Sequence, residues 1–196
     1  MKLVSETTGI ERLRAIRREF AEEIRNSYEH RAKPCSACET PGICCRDEHF
    51  VNVRITRLEA AAIVGRLNQL DERERSTVFE RVRGVIEKYE LAGSGEAAGK
   101  TYACPLFEKG AGCLVHDSAK PLPCIAHACY ENRTDMPPGE LLEDRELRVA
   151  DLNRRVYGAL PSLTPLPVAI AARLGTLTAR PESAAQNGYG DQKEQE

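Results

Sequence analysis

Apolar residues recur at every third or fourth position near the start of the chain, with arginine and glutamate at the positions between them. This spacing places the apolar side chains along one face of a helix. The pattern predicts a helix over residues 5–31, which Lys33-Pro34 ends because the residue before a proline avoids helical geometry. The residues that form the repeating face are Ile10, Leu13, Ile16, Arg17, Phe20 and Ile24.

The middle of the chain predicts one strand followed by two helices. Residues 49–55 alternate apolar and polar side chains, as in a strand with one buried face. Thr56 and Glu59 have the spacing of a capping box, which begins a helix that extends to about residue 70. A second helix is predicted over residues 71–91. Its buried stripe would consist of Val78, Val82, Val85, Ile86 and Tyr89.

Glycine and proline divide the second half of the chain. Residues 92–100 contain three glycines and are expected to form a flexible connection. A turn at residues 108–112 leads into a short returning strand at residues 113–116. The segment after Pro121 is expected to become helical near Cys124. Residues 139–160 predict a further amphipathic helix, and the proline-rich residues 161–167 that follow it are interpreted as a connection.

Together these elements predict a mainly helical α+β domain, with amphipathic helices around a small β-element. A chain of 196 residues is long enough to bury a normal hydrophobic core. The domain is expected over residues 1–179, with flanking helices at residues 5–31 and 139–160. Residues 180–196 contain almost nothing apolar, so we expect a disordered tail there.

The composition limits the class of protein and its partners. A net charge of −2, from 28 basic and 30 acidic side chains, gives no general attraction to nucleic acid or to an anionic membrane. The N-terminus lacks the apolar segment of a secretory signal. The longest apolar run, residues 166–174, is interrupted by Pro167 and Arg173 and is too short to span a bilayer. We therefore expect a cytoplasmic protein without nucleic-acid or membrane partners.

Eight cysteines fall into two groups separated by a long cysteine-free segment. In a reducing compartment, clustered cysteines more often bind metal than pair as disulfides. All eight are therefore candidate metal ligands. The first group comprises Cys35, Cys38, Cys44 and Cys45, and the second comprises Cys104, Cys113, Cys124 and Cys129.

The spacing within the first group suggests how its thiols are used. Cys35 and Cys38 form a C-x2-C turn, which can bring two sulfurs to one ion and direct backbone N–H groups at them. Cys44 and Cys45 are adjacent, and neighbouring side chains usually point in different directions. The pair therefore indicates either two closely spaced metals or one ligand beside one thiol that does not ligate.

The spacing within the second group separates its last two thiols. Cys124 and Cys129 would lie roughly 140° apart around a regular helix, so one helix cannot present both to the same ion. Either the helix ends between them or they serve different sites. Cys124 would lie near a helix N-terminus, which favours the thiolate.

The four histidines are weaker candidates for metal ligands. Each of His30, His49, His116 and His127 is more often structural or solvated than a ligand. His127 is a reserve ligand, because it follows Cys124 by three residues.

The cysteine motifs, in chain order, are Cys35-x2-Cys38, Cys44-Cys45, Cys104-Pro105-Leu106-Phe107, Gly112-Cys113-Leu114-Val115-His116 and Lys120-Pro121-x2-Cys124-x4-Cys129. Over residues 33–130 this arrangement resembles the YkgJ-type cysteine-cluster family, also called the CxxCxxCC or zinc- or iron-chelating domain. The chain departs from the family in the longer segment between Cys38 and Cys44, in His116 where an aromatic residue is common, and in Ile125 where arginine is usual. The resemblance implies metal binding by the eight cysteines. It implies little about biological role, since the same domain also occurs in a flagellin lysine methylase.

These observations favour a metal-binding protein that holds zinc or an iron or iron–sulfur centre, in one or two metal centres on which both cysteine groups converge. The ferredoxin run of cysteines is absent, which favours zinc or an unconventional iron site. The alternative is a metal-dependent modifying or redox enzyme that uses the same centre, although no nucleotide-binding loop, H-E-x-x-H or Ser/His/Asp signature is present. A third possibility is an adaptor that delivers metal or docks to a protein partner.

Overall fold

The computed structural model describes residues 3–46, 51–92 and 99–175. Within these ranges the chain is mainly helical, with small two-stranded antiparallel sheets, which confirms the predicted α+β class. The helices are α1 (Glu6–Ser27), α2 (Ile43–Arg46), α3 (Arg57–Leu67), α4 (Glu72–Lys88), α5 (Leu122–Ala126), α6 (Gly139–Tyr157) and α7 (Leu166–Arg173). The strands are β1 (Ala32–Lys33), β2 (Arg54–Ile55), β3 (Phe107–Glu108), β4 (Gly112–Cys113), β5 (Cys129–Tyr130) and β6 (Thr164–Pro165).

Local capping signals set where the long helices begin. The Glu59 carboxylate accepts a 2.9 Å hydrogen bond from the Thr56 amide, and the Thr56 hydroxyl accepts one from the Glu59 amide, so the predicted capping box of α3 is confirmed. Asp71 caps α4 by accepting a bond from the Glu74 amide. α6 ends at Gly158, whose φ of +75° suits a residue without Cβ, slightly before the predicted residue 160.

Two hydrophobic cores lie on either side of α3, which packs against both α1 and α7. The first core is formed mainly by α3, α4 and α7, together with buried side chains from the segment that carries the second cysteine group. The second core is formed by α1, α3, α5 and α6. The predicted buried face of α1 is confirmed except at Ile10, which is only partly buried. Of the predicted α4 stripe, Val85 and Tyr89 are partly buried and pack at the edge of the first core.

The interpretation of residues 161–167 as a connection was wrong, because this segment contains β6 and the start of α7. Pro167 lies in the first turn of α7, where a missing N–H breaks no helical hydrogen bond. Leu166 and Ile170 are buried in the first core. Pro167, which interrupts the apolar run in the sequence, therefore belongs to the first turn of α7.

The strands are shorter than predicted because each is held by a two-residue pairing. Of the strand predicted at residues 49–55, the structure describes residues 51–55, and within these the strand is β2, which pairs with β6 in the register Ile55↔Thr164. The returning strand predicted at residues 113–116 is reduced to Cys113, in the β3–β4 hairpin. Most of the connection predicted at residues 92–100 and the tail predicted at residues 180–196 lie outside the described residues. Over the ranges that are described, no helix is both long and apolar enough to cross a bilayer.

Candidate metal centre

The backbone brings the two cysteine groups together at two points. The Cys104 amide donates a 2.8 Å hydrogen bond to the Cys45 carbonyl oxygen. The pairing of β1 with β5 places Lys33, two residues before the first cysteine, opposite Cys129. These contacts bring parts of the two groups near each other, and the prediction that the groups converge on one or two metal centres stays a prediction.

The first cysteine group lies on two short turns that follow β1. Cys35 begins a 3-10 turn in which the Cys38 amide bonds to the Cys35 carbonyl oxygen at 3.2 Å. The chain then reverses at Gly42, whose φ is +79°. The Gly42 carbonyl oxygen accepts a 3.0 Å bond from the Cys45 amide at the start of α2. This turn places Cys44 and Cys45 next to each other on a single helical turn.

The second group is positioned by the β3–β4 hairpin and by α5. The hairpin pairs Cys113 with Phe107, and the Phe107 amide bonds to the Cys104 carbonyl oxygen at 3.3 Å, so both cysteines are fixed to one hairpin. Cys124 lies on α5, which ends at Ala126, and Cys129 follows in β5. The helix therefore ends between Cys124 and Cys129. This was one of the two alternatives that the sequence left open, the other being that the two cysteines serve different sites.

Four of the cysteines affect one another electrostatically, and two of them, Cys104 and Cys113, pack against the first core. The pKa of Cys45, Cys104 and Cys124 is raised to about 12 in each case, first by burial and also by other thiols, which for Cys45 include Cys44. Burial also raises the pKa of Cys113, which acts electrostatically on the other three. We call this group the inner thiol set, and it comprises Cys45, Cys104, Cys113 and Cys124.

The remaining four thiols are linked electrostatically through Cys129. The pKa of Cys129 is raised, first by burial and then by Cys44, Cys35 and Cys38. Cys35 is exposed. We call this group the outer thiol set, and it comprises Cys35, Cys38, Cys44 and Cys129. Cys44 also raises the pKa of Cys45, so the two sets meet at the adjacent cysteine pair.

Several neighbouring groups lower the pKa of these thiols, against the effect of burial, and so favour the thiolate forms. The backbone amides of Leu106 and Phe107 lower the pKa of Cys104, and the Val115 amide lowers that of Cys113. Hydrogen bonds to a charged form stabilise it, and turns that direct amides at sulfur are typical of metal-binding thiolates. Each set also has one lysine nearby.

These lysines are Lys120, which lowers the pKa of Cys113 and Cys124, and Lys33, which lowers the pKa of Cys129. Neither lysine was predicted from the sequence to act on the thiols. The spacing could have indicated it, because Lys33 precedes Cys35 by two residues and Lys120 precedes Cys124 by four.

All eight cysteines are free thiols. Across the described ranges, no group of three or more His, Cys, Asp or Glu side chains stands in an arrangement that could hold a metal ion. His30, His116 and His127 are exposed, although partial burial lowers the pKa of His127, and His49 lies outside the described residues.

Comparison with known proteins gives no relative of this chain: no family model, no curated protein and no solved structure matches it. The resemblance to the YkgJ-type cysteine-cluster family therefore stays a prediction, based on the order and spacing of the eight cysteines alone.

Proposed function

We propose that this chain is a metal-binding protein whose eight cysteines hold zinc or iron in two neighbouring centres. The observation that carries the proposal is that eight thiols, twice the four that one centre needs, lie in two groups whose backbones meet where the Cys104 amide bonds to the Cys45 carbonyl oxygen. Four thiolates are the complete ligand set of one structural zinc ion or one iron–sulfur cluster.

The chemistry of the donors limits which metals fit. Thiolates are soft ligands that select zinc, copper(I) or iron–sulfur clusters over magnesium and calcium. The amides and lysines near Cys104, Cys113, Cys124 and Cys129 favour the charged sulfur that a metal requires. Because burial raises the pKa of the inner thiols, binding there must displace protons to solvent.

Metal binding also requires the cysteine side chains to rotate. No three candidate side chains in the described ranges already stand in ligating positions. Rotation about the Cα–Cβ bond moves a sulfur between staggered positions without moving the backbone. The hydrogen bond between Cys104 and Cys45 and the β1–β5 pairing hold the backbone of both sets close while the side chains reorient.

Elemental analysis with a visible spectrum, on protein purified under anaerobic and reducing conditions, tests this proposal. A zinc protein is expected to be colourless and to contain about two zinc ions per chain, one for each set of four thiolates. An iron–sulfur protein is expected to be coloured and to contain iron and acid-labile sulfide. The proposal fails if the protein carries no metal and takes up neither zinc nor iron with sulfide.

One observation favours the alternative, an enzyme that uses the same centre for modification or redox chemistry. A cleft of about 390 Å³ is lined by Pro123, which directly precedes Cys124, and by Glu59, Glu143 and Glu146. No cysteine lines this cleft, but its Glu59 carboxylate acts electrostatically on Cys124, so a small molecule bound there would lie in the neighbourhood of that thiol. Reversible reduction of the metal-loaded protein, followed by its visible and electron paramagnetic resonance spectra, tests the redox version. If the centre never changes oxidation state, redox chemistry at this centre is excluded.

A further inference from the structure

Three exposed leucines lie at or directly beside the cleft of about 390 Å³ that α6 borders. Leu147 and Leu163 line this cleft and are 71 % and 50 % exposed. Leu160, which is 81 % exposed, is the residue before Pro161, another residue of the lining. A single exposed leucine is ordinary on a protein surface, but three at one cleft form an apolar patch that is typical of an interaction site.

The rim that carries Leu163 is held in place by hydrogen bonds. The Arg54 guanidinium donates a 2.8 Å hydrogen bond to the Leu163 carbonyl oxygen. The next residue, Thr164, pairs with Ile55 in the β2–β6 sheet. Leu147 lies within the long helix α6. Both sides of the apolar patch therefore belong to structure that is already formed, which lowers the ordering cost of binding.

The charged groups that line the cleft carry an excess of negative charge. They are the carboxylates of Glu59, Glu143 and Glu146 and the guanidinium of Arg54. The charge of Glu59 is offset by Arg17, whose guanidinium lies 3.8 Å from it. Within the described part of the chain, Glu143 and Glu146 form no ion pair. Burial, followed by repulsion from Glu59 and Glu143, raises the pKa of Glu146, so a positive charge bound here would relieve an unfavourable interaction.

We infer that this cleft docks a segment of a partner protein that presents basic side chains between apolar ones. The basic side chains would meet Glu143 and Glu146, while the apolar ones would cover Leu147 and Leu163. A small molecule inside the cleft would leave the outer faces of these leucines and Leu160 in water, whereas a chain segment that lies across the rim would cover them. The inference does not depend on metal binding and is tested separately from the proposed function.

Fluorescence anisotropy of the full-length protein with a labelled short peptide of leucine and lysine tests this inference. We expect this peptide to bind. The same peptide with glutamate in place of lysine, or with serine in place of leucine, is expected to bind about tenfold more weakly or worse. The preference over the glutamate peptide should decrease as salt is added, because solvent reaches the carboxylates. Equal binding of all three peptides would overturn the inference.

Paired variants test whether the peptide binds at this cleft. Glu143→Gln combined with Glu146→Gln is expected to weaken binding of the leucine–lysine peptide about fivefold or more, as is Leu147→Ala. Glu80→Gln combined with Glu87→Gln is the matched control, because it removes the same charge from α4, which does not line the cleft. All five side chains are exposed, so the variants should fold. Equal effects of the two charge pairs, or no effect of either, would rule out the cleft as the site.

Carbodiimide cross-linking identifies the occupant, since it joins a carboxylate and a lysine amine in contact as an amide, with loss of water. The expected product joins a peptide lysine to Glu143 or Glu146, as located by mass spectrometry. In the protein alone, a cross-link within one chain from either glutamate to Lys193 would show that the C-terminal segment of the chain itself occupies the cleft. Dimers cross-linked through either glutamate would show that a second copy does, and each of these results would overturn the inference of a separate partner.

Discussion

The Cys104 amide donates its hydrogen bond to the carbonyl oxygen of Cys45, a residue of the other cysteine group. This bond joins the end of the first cysteine loop to the hairpin of the second, and it closes a long loop that contains α3 and α4. Closing such a loop costs entropy, which the packing of α3 and α4 in the first core offsets. The two groups are therefore held close by hydrogen bonding and core packing, to which a metal would add.

Removal of the metal is expected to lower the melting temperature of the protein markedly. Without an ion the buried thiols are protonated and uncharged, because their pKa values are raised to about 12, and the metal–sulfur links between the two cysteine groups are lost. The measurement is a thermal melt before and after treatment with a strong chelator under reducing conditions, with metal loss verified by elemental analysis. An unchanged melting curve after complete metal loss would show that the thiols are dispensable to the fold.

Loss of Arg17 and loss of Glu59, which form a buried ion pair, are expected to lower the free energy of unfolding by different amounts. The two charged groups are 3.8 Å apart, and both side chains are 6 % exposed. The Glu59 carboxylate also accepts hydrogen bonds from the Thr56 amide and hydroxyl. Among the described residues, no nitrogen of the Arg17 guanidinium has a hydrogen-bond partner, and burial lowers its pKa.

We therefore expect Glu59→Gln to lower the free energy of unfolding by about 3 kcal/mol, because it leaves the Arg17 charge buried without a counter-charge. Arg17→Met is expected to cost clearly less, since Glu59 keeps its bonds to the Thr56 amide and hydroxyl. Urea denaturation of both variants measures the difference. A larger loss in Arg17→Met than in Glu59→Gln would contradict this account.

The long helices could be predicted because their signals are local. The capping box of Thr56 and Glu59 and the apolar repeats of α1 and α4 are contained within the segments that they define. By contrast, β2 has only two residues, and it exists because Ile55 pairs with Thr164 far along the chain. No local pattern encodes such a pairing, which is also why the adjoining start of α7 was interpreted as a connection.

The candidate site was predicted in part. The eight cysteines were identified by type and spacing, and the adjacent pair Cys44-Cys45 indicated either two metals or a thiol that does not ligate. The positions of Cys113 and Cys129 depend on the β3–β4 hairpin and on the β1–β5 pairing. Because these positions depend on pairing between segments, the sequence left them open.

Stability above pH 10 is expected to depend on Tyr157. Its hydroxyl donates a 2.6 Å hydrogen bond to the Glu6 carboxylate. The pKa of Tyr157 is raised to about 12, first by burial and then by the Glu6 carboxylate, against the opposing effects of Arg173 and Arg57. Since the folded-state pKa lies above the unfolded value of about 10, the protonated hydroxyl stabilises the fold below pH 10, and this contribution is lost as the pH rises toward 12.

The free energy of unfolding of the wild type should consequently fall more steeply between about pH 10 and pH 12 than that of Tyr157→Phe. The side chain is partly exposed, so screening by solvent keeps the difference small. Urea denaturation at a series of pH values measures both curves, with pH 7 as the reference at which the hydroxyl is protonated in both states. Parallel curves across this range would show that Tyr157 does not contribute to the alkaline loss.

Gly42 connects the first cysteine loop to the second group through Phe107. A Cβ added at Gly42 would overlap the Phe107 ring, and the φ of +79° would be strained for any residue with a side chain. Gly112 offers a matched control, because its φ is +86° and an added Cβ would meet nothing within 4 Å.

We expect Gly112→Ala to lower the free energy of unfolding by about 1–2 kcal/mol, from backbone strain alone. Gly42→Ala should cost more, since the Phe107 ring must also move, and it should lower metal content because the turn positions Cys44 and Cys45. The excess over Gly112→Ala is expected to disappear when Phe107→Ala is the background, which a double-mutant cycle measures by urea denaturation. Equal costs for the two alanine variants, or an excess that persists without the ring, would show that contact with Phe107 does not hold this turn.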